Sequence, residues 1–184
     1  GLFGEVDRSL IPNIEHIYPI AQAPYGEAYG PAYTVGRYGI VYDSAATDTP
    51  VTSWNDLWRD EFAGRIVLPN INTTAGALIV VAAADRVGVD PFEDPDAAFE
   101  SLAELAPNLL TTYNASSELV NLFAQGEIVI APAQDFALGS IQAAVPTAVW
   151  AELDEGAFAN LNSINIIAGS DQRELAHAFI NWHL

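Results

Sequence analysis

The pattern of hydrophobic and polar positions is most strand-like, within the first third of the chain, over Pro31 to Tyr42, which reads PAYTVGRYGIVY. Val35, Ile40 and Val41 are β-branched, and Tyr33, Tyr38 and Tyr42 are aromatic, the types that suit a pleated, half-buried surface. The run predicts a strand. Gly36 and Gly39 interrupt it, and glycine within a strand marks a bend, a bulge or a close approach by another group. The strand therefore either changes direction and passes from one lobe to another, or is a core strand with two packing glycines. Downstream, short apolar runs alternate with helical periodicity. Ser53 is placed to cap a helix over Trp54–Asp60, with Trp54 and Trp58 on one face. Ile66-Val67-Leu68 reads as a buried strand ended by Pro69, and Ala75–Val87 as an alanine-rich helix. Asp96 is expected to cap a helix over Ala97–Leu105, with Phe99 and Leu102 sharing a face. Leu109–Tyr113 reads as a strand, Ser117–Gln125 as a helix capped by Ser116, and Ile128–Ala131 as a buried strand. A helix over Asp135–Ala143, a strand over Thr147–Trp150 and an extended run over Ala157–Ala168 follow. In the last helix Leu175, Ala178, Phe179 and Trp182 form one stripe that is expected to be buried. Residues 1–30 are loop-rich, with a turn of helix between Ser9 and Tyr18, and suggest a segment that begins partway through a lobe. This alternation predicts an α/β fold.

Composition narrows the function. The 184 residues are 51% hydrophobic, with a mean hydropathy of +0.18, which is globular. The net charge is −18, from 24 acids against six bases, all arginine. Nucleic acid and anionic membrane surfaces both need clustered positive charge, so neither is an expected partner. The acids are either a solvated surface or a field that draws in cationic solutes. With no cysteine there is no disulfide and no thiolate metal site. The longest apolar run, Ala75 to Ala84, is about half the ~20 residues a membrane span needs. His16, His177 and His183 lack metal-ligand spacing. No nucleophile elbow, phosphate loop or dinucleotide fingerprint occurs. Asp90, Glu93, Asp94 and Asp96 form an acidic loop without the glycine and final glutamate of a calcium loop. The sequence thus assigns no catalytic residue, metal or cofactor. The chain opens on Gly1 and shows no signal peptide, so any export signal has been removed or lies outside these residues.

Four stretches in order carry a resemblance: Tyr33–Tyr42 followed by TSWNDLW, then F-x-G-R-I-x-L-P from Phe62 to Pro69, then GEIVIA from Gly126 to Ala131, and finally DEGAFANLNSINIIAGS with the helix LAHAFINWHL. Together they resemble bacterial extracellular solute-binding proteins of the spermidine/putrescine type, the ligand receptors of ABC importers. The resemblance implies a two-lobe, periplasmic-binding-protein-like (type II) α/β fold whose first lobe is incomplete here. Residues 1–36 with 152–184 would be part of lobe one, and residues 37–151 a complete lobe two. The chain would cross between lobes near Gly36 and again near Trp150 to Gly156. It implies a periplasmic or extracellular protein that closes on a small solute and docks on a membrane permease. The same architecture also serves as the ligand-sensing domain of a regulator or receptor.

The candidate contacts follow. Asn70 to Gly76 joins a strand to a helix, and free N–H groups at a helix start favour anions, although ordinary capping by Asn72 or Thr73 explains the same residues. In open α/β sheets ligands gather beyond the carboxyl ends of strands. Polyamine binders of the family place acids at this turn, and the resemblance puts Ile71 and Thr74 there instead. It puts Asn160 and Asn162 where the family has an aromatic and an acid, and Gln134 where it has another aromatic. The amine grip is mostly absent. Arg37, beside the first crossing, is shaped for a carboxylate or phosphate, or else pairs with one of the many acids. Asp135 would meet the amine of a zwitterion. Tyr33 and Tyr38 either wall the ligand or pack the core. The expected ligand contacts are Tyr33, Thr34, Arg37, Tyr38, Asn72, Thr73, Thr74, Asn114, Ser116, Gln134, Asp135, Asn160 and Asn162, and the expected ligand is a small carboxylate, phosphonate or zwitterion.

Overall fold

A computed structural model describes residues Gly1–Leu184. In chain order the elements are β1 (Phe3–Gly4), α1 (Pro19–Gln22), β2 (Ala32–Asp43), β3 (Ile66–Pro69), α2 (Thr74–Val87), α3 (Pro95–Ala103) and β4 (Leu109–Tyr113). They continue with α4 (Ser116–Ala124), β5 (Ile130–Gln134), α5 (Leu138–Ala144), β6 (Ala148–Trp150), β7 (Phe158–Ser163), β8 (Ile166–Ile167) and α6 (Arg173–His183). The chain divides into two compact units. Unit 1 is Gly1–Gly36 with Ala159–Leu184, and unit 2 is Arg37–Phe158.

Unit 2 is built on a mixed sheet ordered β4-β3-β5-β2-β6. β3 runs parallel to β4 and β5, while β2 is antiparallel to β5 and β6. The register sets Tyr38 opposite Gln134 and Val41 opposite both Ala131 and Trp150. Period-two alternation divides the side chains between the two faces. Tyr38, Ile40 and Tyr42 of β2 join Ile66 and Leu68 of β3, Trp54, Leu57, Phe62 and Ile79 in one apolar layer. Val41 and Val67 face the other way, onto Leu119, Phe123 and Ile141. Both faces of the sheet are thus covered, as strands this apolar require.

Local chemistry explains most boundaries. The helix capped by Ser53 is a 3-10 helix over Trp54–Trp58, closed by a reciprocal capping box with Asp56. Trp54 is buried and stacks on Tyr38 at 6.0 Å, and Trp58 Nε1 donates to Ser101 O. α2 ends at Gly88, whose φ of 73° lets its N–H fold back on Ala84 and Asp85.

Several expectations need correction. The α3 cap is Asp94, which accepts from the Ala97 N–H; Pro95 then takes the first helical position, where its missing N–H costs nothing. Phe99 faces solvent on that helix while Leu102 packs inward. α4 begins at Ser116 itself, and its side chain makes no capping bond. β5 starts two residues later than expected and runs on to Gln134, and Asp135–Ala137 form a 3-10 turn before α5.

Unit 1 holds a two-stranded pairing of β1 with β8, and β7 pairs with β2. Its small core is Val6, Ile11, Ile14, Ile166 and Ile180. His177 is buried there, and both its nitrogens are committed. Nε2 accepts from the Asp7 N–H at 2.9 Å, so Nδ1 carries the proton and donates to Arg173 O. The largest departure from the sequence reading is α6. Leu175 is 66% exposed, Phe179 52% and Trp182 76%, while the buried residues of the helix are His177 and Ile180. The apolar stripe exists but does not face this core. No helix of the chain is long and apolar enough to cross a membrane.

Candidate functional site

The carboxyl ends of β3, β4 and β5 lie side by side in unit 2. Each leads into a helix or helical turn, so two helix starts and a strand end converge. After β3 the chain turns through Asn70–Thr73. Asn70 Oδ1 accepts from the Asn72 N–H, and the Thr73 hydroxyl donates to Asn70 O at 2.7 Å while accepting from the Gly76 N–H at 3.1 Å. Thr73 is therefore the N-cap of α2. A Cβ at position 76 would stand 2.3 Å from Asn70 O, so glycine alone lets the helix start sit against this turn. After β4, Asn70 N–H donates to Tyr113 O, and the Asn114 N–H donates to the Glu118 carboxylate at 2.7 Å. The α4 N-cap is Ala115, which has no side chain to offer. The first-turn N–H groups of Ser116 and Ser117 stay open.

Between these ends lies a cavity of about 190 Å³ lined by Pro69, Thr73, Thr74, Ala75, Tyr113, Asn114, Ser116 and Gln134. No charged side chain lines it. Two helix starts aim positive partial charge at this space, which favours a negative or oxygen-rich group over an ammonium. Beneath it, Tyr113 donates its hydroxyl to Pro132 O at 2.8 Å, and burial pushes its phenol up to about 12. Burial likewise raises the phenol of Tyr38, whose hydroxyl closes no hydrogen bond of normal geometry beside Tyr113.

A second arrangement stands at the first residue of unit 2. The Asp135 carboxylate accepts from the Arg37 backbone N–H at 3.2 Å and from its Nε at 3.4 Å. The Arg37 guanidinium also lies 5.5 Å from the centre of the Trp150 ring. That ring covers Gly39, where a Cβ would meet it at 2.5 Å. The glycine admits the indole, and the indole supports the arginine.

The thirteen expected contacts thus fall into groups. Thr73, Thr74, Asn114, Ser116 and Gln134 are brought together in one cavity. Arg37 and Asp135 pair with each other, so Asp135 is engaged by a guanidinium where an amine was expected. Tyr38 is 1% exposed and packs on Trp54, which makes it core and not a ligand wall. Asn72 is exposed in the turn and does not line the cavity. Tyr33, Thr34, Asn160 and Asn162 belong to unit 1, where Asn162 Nδ2 donates to Thr34 Oγ1 at 2.8 Å. Tyr33 and Thr34 there border an apolar hollow of about 500 Å³ with Ile17, Tyr18, Ile20, Val35 and Leu184. Sequence reasoning missed Tyr113 and Trp150. Tyr113 was findable as the last residue of a parallel strand, one step before a polar turn. Trp150 was not, because its partners are 111 and 113 positions away in the chain.

The family model for bacterial extracellular solute-binding proteins matches residues 1–184. The chain belongs to this family. A curated relative, the spermidine/putrescine-binding periplasmic protein 1 of Haemophilus influenzae, is 28% identical over 195 residues, covering all of this chain and 52% of the relative. The family chain therefore spans about half the length of the curated relatives it matches. Among solved structures, an ABC transporter protein from Clostridium perfringens superposes with a TM-score of 0.90 at 42% identity, over all of this chain and 58% of that one. The periplasmic binding protein AfuA from Actinobacillus pleuropneumoniae, solved with fructose-6-phosphate, has a TM-score of 0.72 at 23% identity over 98% of this chain and 57% of its own; it shares the fold alone. These likenesses bear out the expected family and the periplasmic-binding-protein-like α/β fold.

Proposed function

We propose that this chain is the ligand-holding portion of an ABC importer's solute-binding protein, and that its solute presents an oxyanion or a neutral oxygen-rich group, not an array of ammonium groups. The observation that supports this most strongly is the cavity at the strand ends of unit 2, with two helix starts and no acid in its lining. A polyamine needs carboxylates to replace the water around each ammonium. Here Thr74, Ser116 and Gln134 offer hydroxyl and amide groups, and the open N–H groups of α4 offer donors. These suit phosphate, phosphonate or carboxylate oxygens. No bond is made or broken in this role. The protein binds its solute outside the cytoplasmic membrane and presents it to a permease.

The test is a thermal-shift screen of the full chain with spermidine, putrescine, amino acids, dicarboxylates, inorganic phosphate and phosphonates. A ligand that binds only the native state at 100 times its Kd adds about 2.7 kcal/mol of stability. The expected result is a rise with at least one oxyanion and none with either polyamine. A rise with the polyamines alone would overturn the ligand class.

A further inference from the structure

We infer that Arg37 is an oxyanion-recognising side chain and that Asp135 is its positioning partner. This rests on the solute-binding reading above and names a second point of recognition for the same class of solute. Three observations carry it. First, the Asp135 carboxylate grips Arg37 twice on its inner side, through the backbone N–H and through Nε. Second, the guanidinium carbon lies over the Trp150 ring at 5.5 Å from its centre, within cation–π range. Third, the side chain is 61% exposed, and neither terminal nitrogen, Nη1 or Nη2, makes a hydrogen bond.

An arginine with Nε occupied and both terminal nitrogens free presents two parallel N–H donors, the spacing that a carboxylate or phosphate edge accepts. As a purely structural ion pair the arrangement would be poor, since the Nε contact is 3.4 Å and exposed pairs contribute about 0–1 kcal/mol. As a mount for the outward fork it is well formed. The backbone N–H and Nε are held by one carboxylate oxygen, and both terminal nitrogens remain free of hydrogen bonds. Asp135 also lowers the positive field at the fork, so its charge and its geometry act in opposite directions on an anion.

That opposition gives the test a sign. Full-chain protein is titrated calorimetrically with succinate, inorganic phosphate and glucose, using the wild type, Arg37→Gln, Arg37→Lys, Asp135→Ala and Asp135→Asn. Succinate and phosphate distinguish the two sources of oxyanion. The wild type is expected to bind at least one of them. Arg37→Gln should weaken that binding at least about tenfold and Arg37→Lys nearly as much, because lysine keeps the charge and loses the fork. Asp135→Ala removes the mount and should weaken binding about fivefold. Asp135→Asn keeps an acceptor for Nε and removes the opposing charge, so it should tighten binding about two- to fivefold at low salt. The two Arg37 variants should melt within about 2 °C of the wild type, as exposed substitutions do. Equal weakening by Asp135→Asn and Asp135→Ala would mean that the Asp135 charge does not oppose the bound anion through Arg37, and would overturn the inference. So would an oxyanion affinity untouched by Arg37→Gln. A wild type that binds glucose and neither anion overturns it too, while leaving solute binding intact; a wild type that no solute in the screen or the titration stabilises removes the broader reading with it.

Discussion

Unit 2 closes its apolar side chains on both faces of a sheet, whereas unit 1 turns most of its own outward. Of the nineteen large hydrophobic side chains that stand exposed, thirteen lie in unit 1, although that unit holds only about a third of the chain. Leu2, Phe3, Tyr18, Ile20, Tyr33, Leu175, Phe179 and Trp182 are among them. In unit 2, by contrast, Leu57, Phe62, Phe123, Ile130 and Ile141 are sealed from water. The difference teaches what a periodic pattern states. A 3.6-residue stripe says that one face of a helix is apolar; it does not say which atoms cover that face. In α4 the stripe meets the sheet, and in α6 it meets solvent. The apolar face of α6 has no cover among these residues.

The contrast can be broken most forcefully by one substitution made in both units. Phe123→Ala should cost about 3–5 kcal/mol, since it opens a cavity in a fully packed layer. Phe179→Ala should cost under about 1 kcal/mol, because the ring is already half in water. Urea unfolding of the full chain measures both. Equal losses would erase the distinction between the units.

Alkaline pH should act on unit 2 next. The Tyr113 phenol is held near 12 in the folded protein against 10.0 in an open chain. The unfolded chain therefore loses its proton first, and between pH 10 and 12 it binds fewer protons than the native state. Stability is complete below pH 10 and falls as pH rises through that window. A shift of two units corresponds to roughly 3 kcal/mol. Denaturant unfolding between pH 9 and 12 should show the decline, and Tyr113→Phe should make it shallower while leaving the part that belongs to Tyr38. Tyr38, raised in the same direction, steepens the loss.

Gly39→Ala sharpens the comparison at a single atom. Its new Cβ would press on the Trp150 ring, and overpacking of this kind costs about 1–3 kcal/mol. The quenching of Trp150 by its neighbours should change with it. The smallest effect belongs to the outward face of unit 1. Phe179→Ser with Trp182→Ser should leave the unfolding free energy within about 0.5 kcal/mol. The same pair should lower the binding of an apolar dye such as anilinonaphthalene sulfonate, and undiminished dye binding would mean that the exposed surface lies elsewhere.

Much of unit 2 was legible because its signals are local. Ser53 with Asp56, the β-branched run Ile66–Leu68, and the Leu109–Tyr113 strand each announce themselves within a few residues. The polar turn after β3 was legible for the same reason, and so was the absence of acids there. Asp94 stands in place of Asp96 as the cap because Pro95 suits the first helical position, a preference visible in the sequence. The fate of Arg37, Tyr38 and Asp135 was not legible. Each had two physically reasonable partners, and only the antiparallel register of β2 against β5 decides between them. The α6 stripe failed for a different reason: the exposed face is a property of what surrounds the helix, and no periodicity encodes that.

The account rests on a solute held at the strand ends of unit 2, and calorimetric titration tests it most directly. The solute that most raises the melting temperature is titrated into the wild type, Ser116→Val and Gln134→Ala. Each substitution removes a polar group from the cavity lining, and each should weaken binding about tenfold with little change in unfolding free energy. Affinity that is unchanged in both variants, or binding confined to spermidine and putrescine, would contradict it.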